Sequence, residues 1–167
     1  MKKATILYQV ENNEVLLAKK KRKVGVGYYF GYGGKVEGDE TPEACTVREF
    51  NQESGGCEIA EDSLKRMALI DFYRGDMPFG DPLFQVLFFV GDGSKMKGTP
   101  VETEEMGKPD KFAIHKLPLL EMKPGDELIL NEILFGKMVK GFLRFNADTD
   151  EVIEYELKPC LESDLVL

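Results

Sequence analysis

The chain has 167 residues, of which 43% are hydrophobic and 31% charged, as in an ordinary globular protein with one buried core. Its 30 acidic and 22 basic residues leave a net charge of −8, which repels a nucleic-acid backbone and disfavours a duplex-binding protein. The longest apolar stretch, Leu83 to Val90, is too short to span a membrane.

The first predicted elements are a hairpin and a capped helix. Alternating apolar residues indicate strands over Ala4–Val10 and Val15–Ala18, and a stretch rich in glycine and aromatic residues follows over Gly25–Gly34. Thr41-Pro42-Glu43 supplies a hydroxyl cap, a proline at the first helical position and an acid in the first turn. This helix is expected to end near Ser54, because two glycines follow.

The second half of the chain predicts further strands and one more helix. The strands are expected over Met67–Tyr73, Leu83–Val90, Phe112–Leu117, Gly141–Phe145 and Val152–Leu157, the last two as a closing hairpin. A second helix is expected to start near Asp126 and to turn four apolar side chains inward: Ile129, Ile133, Leu134 and Met138. Strands and helices in this mixed order, without a linker or repeat, predict a single α/β domain over residues 1–167 with a mixed sheet.

Two glutamates on the first helix are the strongest chemical signal. Glu49 and Glu53 are four residues apart, so their carboxylates lie on one helix face, where like charges destabilise the helix unless a cation lies between them. A hard divalent cation such as Mg²⁺, or Mn²⁺ in its place, prefers carboxylate oxygens. Arg48 would then orient the carboxylates, and the backbone carbonyl of Gly34 would complete the coordination.

The spacing around these glutamates decides between a metal site and an exposed amphipathic helix with incidental acids. Glu-x-x-x-Glu alone would favour the exposed helix. The full pattern is Gly34, five residues, Glu40, seven residues, Arg48-Glu49-Phe50, and then Glu53 and Gly55. It resembles the box of the Nudix hydrolases, Gly-x5-Glu-x7-Arg-Glu-U-x-Glu-Glu-x-Gly-U, where U is a bulky apolar residue.

Two positions depart from that box. Gln52 replaces the first acid of the Glu-Glu pair, and Gly56 replaces the last apolar residue. In the family that acid often contributes to the metal cluster, so Gln52 weakens the case for a second or third metal ion more than for the first. It also keeps open a nucleotide-binding Nudix protein without turnover, although the presence of Glu49, Glu53 and Glu105 argues for an enzyme.

Over nearly its full length the chain is similar to the MutT-type oxidised-purine nucleoside triphosphate hydrolases, the 8-oxo-dGTP diphosphatase group. Matching segments include Gly33-Gly34-Lys35-Val36, Gln52-Glu53-Ser54-Gly55 and Gly141-Phe-Leu-Arg-Phe145. This resemblance implies a Nudix α/β/α sandwich and a magnesium-dependent cleavage to monophosphate and pyrophosphate. It implies a metal set of Gly34, Glu49, Glu53 and Glu105, a catalytic set of Arg48, Glu49, Glu53 and Glu105, a phosphate contact from Lys20, and a base pocket of Thr5, Phe72, Phe84 and Asp126.

The base pocket departs from the family pattern. The base-reading asparagine falls on Phe30, the stacking tryptophan on Lys123, and the first acid of an Asp-Asp pair on Gly125, leaving Asp126. Because polar contacts to a base edge supply most discrimination, we expect only a modest preference for 8-oxo-dGTP over dGTP. An enclosed Asp126 with a shifted protonation state would be the competing means of reading the base.

Other signals narrow the remaining alternatives. ADP-ribose, a nucleotide sugar or the 5′ end of RNA are rival substrates, and the chain is expected to be a monomer or a homodimer. The run Lys19–Lys23 is expected to be mainly a solvated strand end kept charged against edge pairing, with one or two residues facing a phosphate. The only histidine, His115, is expected to be structural. Three cysteines, Cys45, Cys57 and Cys160, disfavour a disulfide framework or zinc site and favour a reducing cytoplasm.

Overall fold

The computed structural model describes residues 1–167 and is built on one nine-stranded mixed sheet. Its strands are β1 (Lys2–Glu11), β2 (Glu14–Lys19), β3 (Tyr29–Phe30), β4 (Tyr32–Lys35), β5 (Leu64–Arg74), β6 (Phe84–Asp92), β7 (Asp110–Ala113), β8 (Val139–Phe145) and β9 (Val152–Pro159). The order across the sheet is β3-β2-β1-β6-β5-β8-β9, with β4 paired to β1 and β7 to β2. The pairs β1–β6 and β5–β8 are parallel, and the others are antiparallel.

Alternation along the strands divides the apolar side chains between the two faces of the sheet. Leu7 belongs to one buried cluster and its neighbour Tyr8 to the other. Helix α1 (Pro42–Ser54) contributes Phe50 to the first cluster, and helix α2 (Asp126–Ile133) contributes Ile129 to the second. A helix on each face of a mixed sheet confirms the predicted α/β/α architecture. None of the helices has the length and hydropathy needed to cross a membrane.

Helix α1 begins and ends where its sequence predicts. The Thr41 hydroxyl accepts a hydrogen bond from the amide N–H of Ala44 at 3.1 Å, which satisfies a free donor of the first turn. Gly55 ends the helix in the left-handed conformation with φ of +82°, and the Gly56 N–H donates to the Asn51 carbonyl at 2.8 Å.

The main differences from the predicted elements are the ends of α2 and β7 and two strands that were not predicted. Helix α2 ends at Ile133, so Met138 lies beyond it, just before β8, because Gly136 takes a left-handed conformation with φ of +83° and stops the helix. Strand β7 ends at Ala113, ahead of the predicted Leu117, because a turn follows in which the Lys116 N–H donates to the Ala113 carbonyl. The glycine-rich stretch contains β3 and β4, which local patterns did not predict.

Candidate active site

Three carboxylates from two elements converge beside the sheet. Glu49 and Glu53 project from the inward face of α1, and Glu105 comes from the loop between β6 and β7; one oxygen of each lies within 4.8 Å of the others. The loop is anchored by Thr103, whose hydroxyl donates to the Glu53 carbonyl at 3.2 Å and accepts from the Glu105 N–H at 3.3 Å. The structure therefore brings together the three acids that the resemblance assigned to a metal set.

The Glu53 carboxyl is the most enclosed of the three, with 1% of the residue exposed. Lys20 Nζ lies 3.3 Å from its Oε1, and the Gly33 N–H donates to its Oε2 at 3.2 Å. Burial raises the pKa of Glu53 to about 7, although the nearby Lys20 ammonium and the Gly33 N–H oppose the rise. Each oxygen of Glu53 is thus held by a positively charged or polar donor.

Arg48 holds Glu49 in place. Its Nη1 donates to Glu49 Oε1 at 2.8 Å, while Nη2 and Nε donate to the two oxygens of Glu40 at 2.6 and 3.1 Å. The hydrogen bond from Arg48 lowers the pKa of Glu40 to about 2, so this acid stays charged and keeps the guanidinium fixed. Glu40 therefore acts on the carboxylate cluster through Arg48.

Gly34 gives Glu49 room to approach the sheet. A Cβ atom on residue 34 would lie 2.4 Å from the Glu49 carboxyl carbon, which is far inside van der Waals contact. The carbonyl oxygen of Gly34 lies 3.8 Å from the Cys45 thiol. Residue 34 is therefore a glycine because any side chain there would clash with the Glu49 carboxylate. The role of the Gly34 carbonyl as a metal ligand stays a prediction.

In the basic run Lys19–Lys23, residues Lys21, Arg22 and Lys23 are exposed, as expected of a solvated strand end, and every residue of the run is also paired with an acid. The pairs are Lys19–Glu121 at 2.9 Å, Lys20–Glu53 at 3.3 Å, Lys21–Glu102 at 2.7 Å, Arg22–Glu104 at 3.4 Å and Lys23–Glu105 at 3.9 Å. Three of these partners belong to the 102–105 segment, so the run helps to hold the loop that carries Glu105. These ion pairs join residues far apart in the chain, so the sequence alone did not predict them.

A cavity of about 370 Å³ adjoins the carboxylate cluster, since Gly34 and Glu49 form part of its wall. All seven residues predicted to bind substrate also line it: Thr5, Lys20, Phe30, Phe72, Phe84, Lys123 and Asp126. The Thr5 hydroxyl itself is directed toward α1, where it donates to Cys45 Sγ at 3.5 Å. Much of the wall is aromatic, and the rings of Phe72 and Phe145 are parallel with centres 6.1 Å apart.

Two charged side chains lie in the cavity at the start of α2. Asp126 is 7% exposed, and burial raises the pKa of its carboxyl to about 7, against the opposing effect of Lys123. The Lys123 ammonium lies 4.6 Å from the ring centre of Phe145, and burial lowers its pKa. The enclosure that Asp126 would need for reading a base is therefore present.

Gly125, just before α2, cannot carry the acid that the family pattern has there without a rearrangement. Its φ is +95°, in the left-handed region that disfavours other residues. A Cβ atom would also lie 2.6 Å from Leu143 Cδ2 and 2.9 Å from Val152 Cγ2. The close packing of Gly125 against β8 and β9 therefore accounts for the absence of an acid at this position.

The cavity contains residues that sequence reasoning missed. Phe145 and Arg74 reach it because β8 pairs in parallel with β5, where these two residues are directly opposite each other. Lys23, Lys35 and Glu37 also line the cavity. In the sequence, the dense basic run was the one pattern that indicated Lys23, and no local pattern indicated a cavity role for the other four residues. Gln52 lies on the exposed side of α1, and His115 is also exposed.

Comparison with known proteins identifies the family. The NUDIX domain model matches residues 2–133. The chain is 33% identical over 154 residues to the oxidized purine nucleoside triphosphate hydrolase of Mus musculus and 34% identical over 154 residues to that of Danio rerio, with 92% of both chains covered each time. A MutT protein structure from Bacillus halodurans matches with a TM-score of 0.78 at 21% identity, over 95% of this chain and 98% of that one. The chain belongs to the NUDIX family, and it is a hydrolase acting on phosphoric anhydride bonds.

Proposed function

We propose that the protein is a metal-dependent nucleoside triphosphate pyrophosphohydrolase of the MutT type, which converts purine nucleoside triphosphates, oxidised ones included, to monophosphate and pyrophosphate. The observation that carries this proposal is that one cavity joins the carboxylate cluster, through Glu49, to aromatic walls that include Phe72 and Phe84. A nucleotide needs both parts, one for its phosphates and one for its base. The names of the two vertebrate relatives support purines as the base class.

The carboxylate cluster fits a divalent cation. Glu49, Glu53 and Glu105 offer hard oxygen ligands within 4.8 Å of one another, and two of these side chains are buried, where an uncompensated group of acids is costly. We propose Mg²⁺, with Mn²⁺ as a substitute. An ion held there supplies charge neutralisation at the phosphate oxygens and a lowered pKa for an attacking water.

The side chains around the cluster have separate roles in the proposed reaction. Lys20, which lines the cavity 3.3 Å from Glu53, is placed to bind a phosphate oxygen. Arg48 orients Glu49 and so occupies one of its oxygens. Glu105 is half-buried and accepts no hydrogen bond from an arginine, so we assign it, ahead of Glu49, as the base that accepts the proton of the attacking water.

The test is a turnover screen over normal and oxidised nucleotides with Mg²⁺, in which pyrophosphate is detected separately from phosphate. We expect pyrophosphate release, and we expect Glu53→Gln to lower turnover about 100-fold or more with an unchanged circular dichroism spectrum. Glu58→Gln, at an exposed position, is the matched control and should behave as wild type. Full activity in excess chelator or in Glu53→Gln contradicts the proposal. Preferred turnover of ADP-ribose, a nucleotide sugar or an RNA 5′ end assigns another substrate, and binding without turnover indicates a nucleotide-binding protein.

The compartment proposed for this activity is the cytoplasm. Cys45, Cys57 and Cys160 are all free thiols, and Cys45 and Cys57 are buried. Free thiols of this kind fit a reducing compartment.

A further inference from the structure

The cavity contains two charged groups that the protein leaves without polar partners. Asp126 Oδ2 is buried and has no hydrogen-bond partner. Lys123 Nζ contacts the face of Phe145 and forms no ion pair, even with Asp126, three residues along the chain. Leaving a buried donor or acceptor unsatisfied is unfavourable, so such groups in a cavity wall point to a ligand that completes them.

The surroundings of these two groups suit a flat aromatic ligand. Lys123 Nζ lies over the ring of Phe145, Asp126 begins α2, and both line the cavity together with Phe72, Phe84 and Phe88. Aromatic walls pack on the faces of a base, and only its edge can then meet polar groups. Asp126 offers an unpaired acceptor and Lys123 an unpaired donor to the edge of such a base.

We propose that Lys123 and Asp126 together select a 6-oxopurine over a 6-aminopurine, with Lys123 as a specificity-determining residue. This inference rests on the proposed function and specifies the base. A guanine edge presents a carbonyl oxygen next to a ring N–H and an amino group. The two adjacent donors match the two oxygens of Asp126, and the carbonyl accepts from Lys123. An adenine edge has neither donor: in the same orientation its N1 lone pair and C2–H face the carboxylate, and its amino group faces the ammonium, donor against donor.

Because the pair reads the six-membered ring, it leaves position 8 of the purine unread. A site with dedicated polar contacts discriminates strongly, since the wrong edge leaves buried groups unpaired. We therefore expect strong discrimination of dGTP over dATP, together with the modest preference for 8-oxo-dGTP over dGTP that the apolar Phe30 and the absence of an acid at Gly125 imply.

The experiment compares kcat/KM for dGTP, dITP and dATP in wild type, Lys123→Met and Asp126→Asn at about pH 8. The wild-type ratio of dGTP to dATP should be about 100 or more. Lys123→Met should reduce that ratio about tenfold or more, chiefly by loss of dGTP turnover. Asp126→Asn should shift the preference toward dATP and abolish the advantage of dGTP over dITP, which lacks the amino group. Lys116→Met and Asp148→Asn, both at exposed positions, are the matched controls.

A wild-type ratio near one overturns the inference. So does an equal loss for all substrates in Lys123→Met, which would assign the ammonium to a phosphate. If no triphosphate is hydrolysed, the proposed function fails, and equilibrium binding of dGMP and dAMP to the same five proteins decides the base preference separately. Equal binding of both mononucleotides, or binding of neither, then overturns the inference.

Discussion

Replacing Asp126 by Asn should stabilise the protein increasingly as the pH rises. Burial raises the pKa of Asp126 from 3.8 to about 7 in the folded protein. Between these values the folded chain keeps a proton that the unfolded chain has lost. The contribution of this group to stability is therefore complete below about pH 4, decreases as the pH rises, and levels off above about pH 7. Asn has nearly the same shape and no titration, so the variant lacks this decrease.

The size of the effect follows from the pKa values. One pKa unit corresponds to about 1.4 kcal/mol, so the whole decrease amounts to about 4 kcal/mol. About 2.5 kcal/mol of it falls between about pH 5 and about pH 8. We expect the free energy of unfolding of Asp126→Asn, relative to wild type, to increase by this amount over that range. Any constant cost of fitting the Asn amide cancels in the comparison.

The assay is urea unfolding followed by circular dichroism at both pH values, with linear extrapolation to water. Asp148→Asn is the control, because Asp148 is exposed and its substitution should leave the pH dependence of wild type unchanged. A difference between Asp126→Asn and wild type that stays constant to within about 0.5 kcal/mol would refute the reasoning, since Asp126 would then titrate alike in the folded and unfolded chains.

Two further predictions concern the carboxylate cluster. Gly34→Ala should lower turnover about tenfold or more, because its Cβ would lie only 2.4 Å from the Glu49 carboxyl carbon and would push the carboxylate away. The control is Gly107→Ala, where a Cβ would have ordinary contacts of 3.4 Å or more. Equal activities of the two variants would contradict the role of Gly34. Gln52→Glu should raise turnover at low Mg²⁺ or tighten Mg²⁺ binding, by restoring one negative charge next to Glu53 in the chain. Superimposable Mg²⁺ titrations of this variant and wild type would show that residue 52 does not act on the metal.

Local sequence determined the elements that carry their own start and stop signals. The cap at Thr41 and the left-handed Gly55 set both ends of α1, and the spacing of Glu49 and Glu53 put both carboxylates on one face. These features depend on residues within a few positions of one another, so they can be read from the chain directly. The predicted second helix was too long because the left-handed Gly136 ends it earlier, and a single glycine is a weaker stop signal than the pair after α1.

Tertiary structure alone decided which distant residues meet. The Thr103 hydroxyl brings Glu105 to α1, the parallel pairing of β8 with β5 places Phe145 in the cavity, and burial changes Asp126 from an ordinary surface acid into one that titrates near neutrality. Each outcome depends on contacts between segments far apart in the chain, and the desolvation of a carboxyl depends on everything packed around it. The sequence therefore determined which acids form the carboxylate cluster, while the packing of α2 over the sheet decided where Lys123 and Asp126 lie in the cavity.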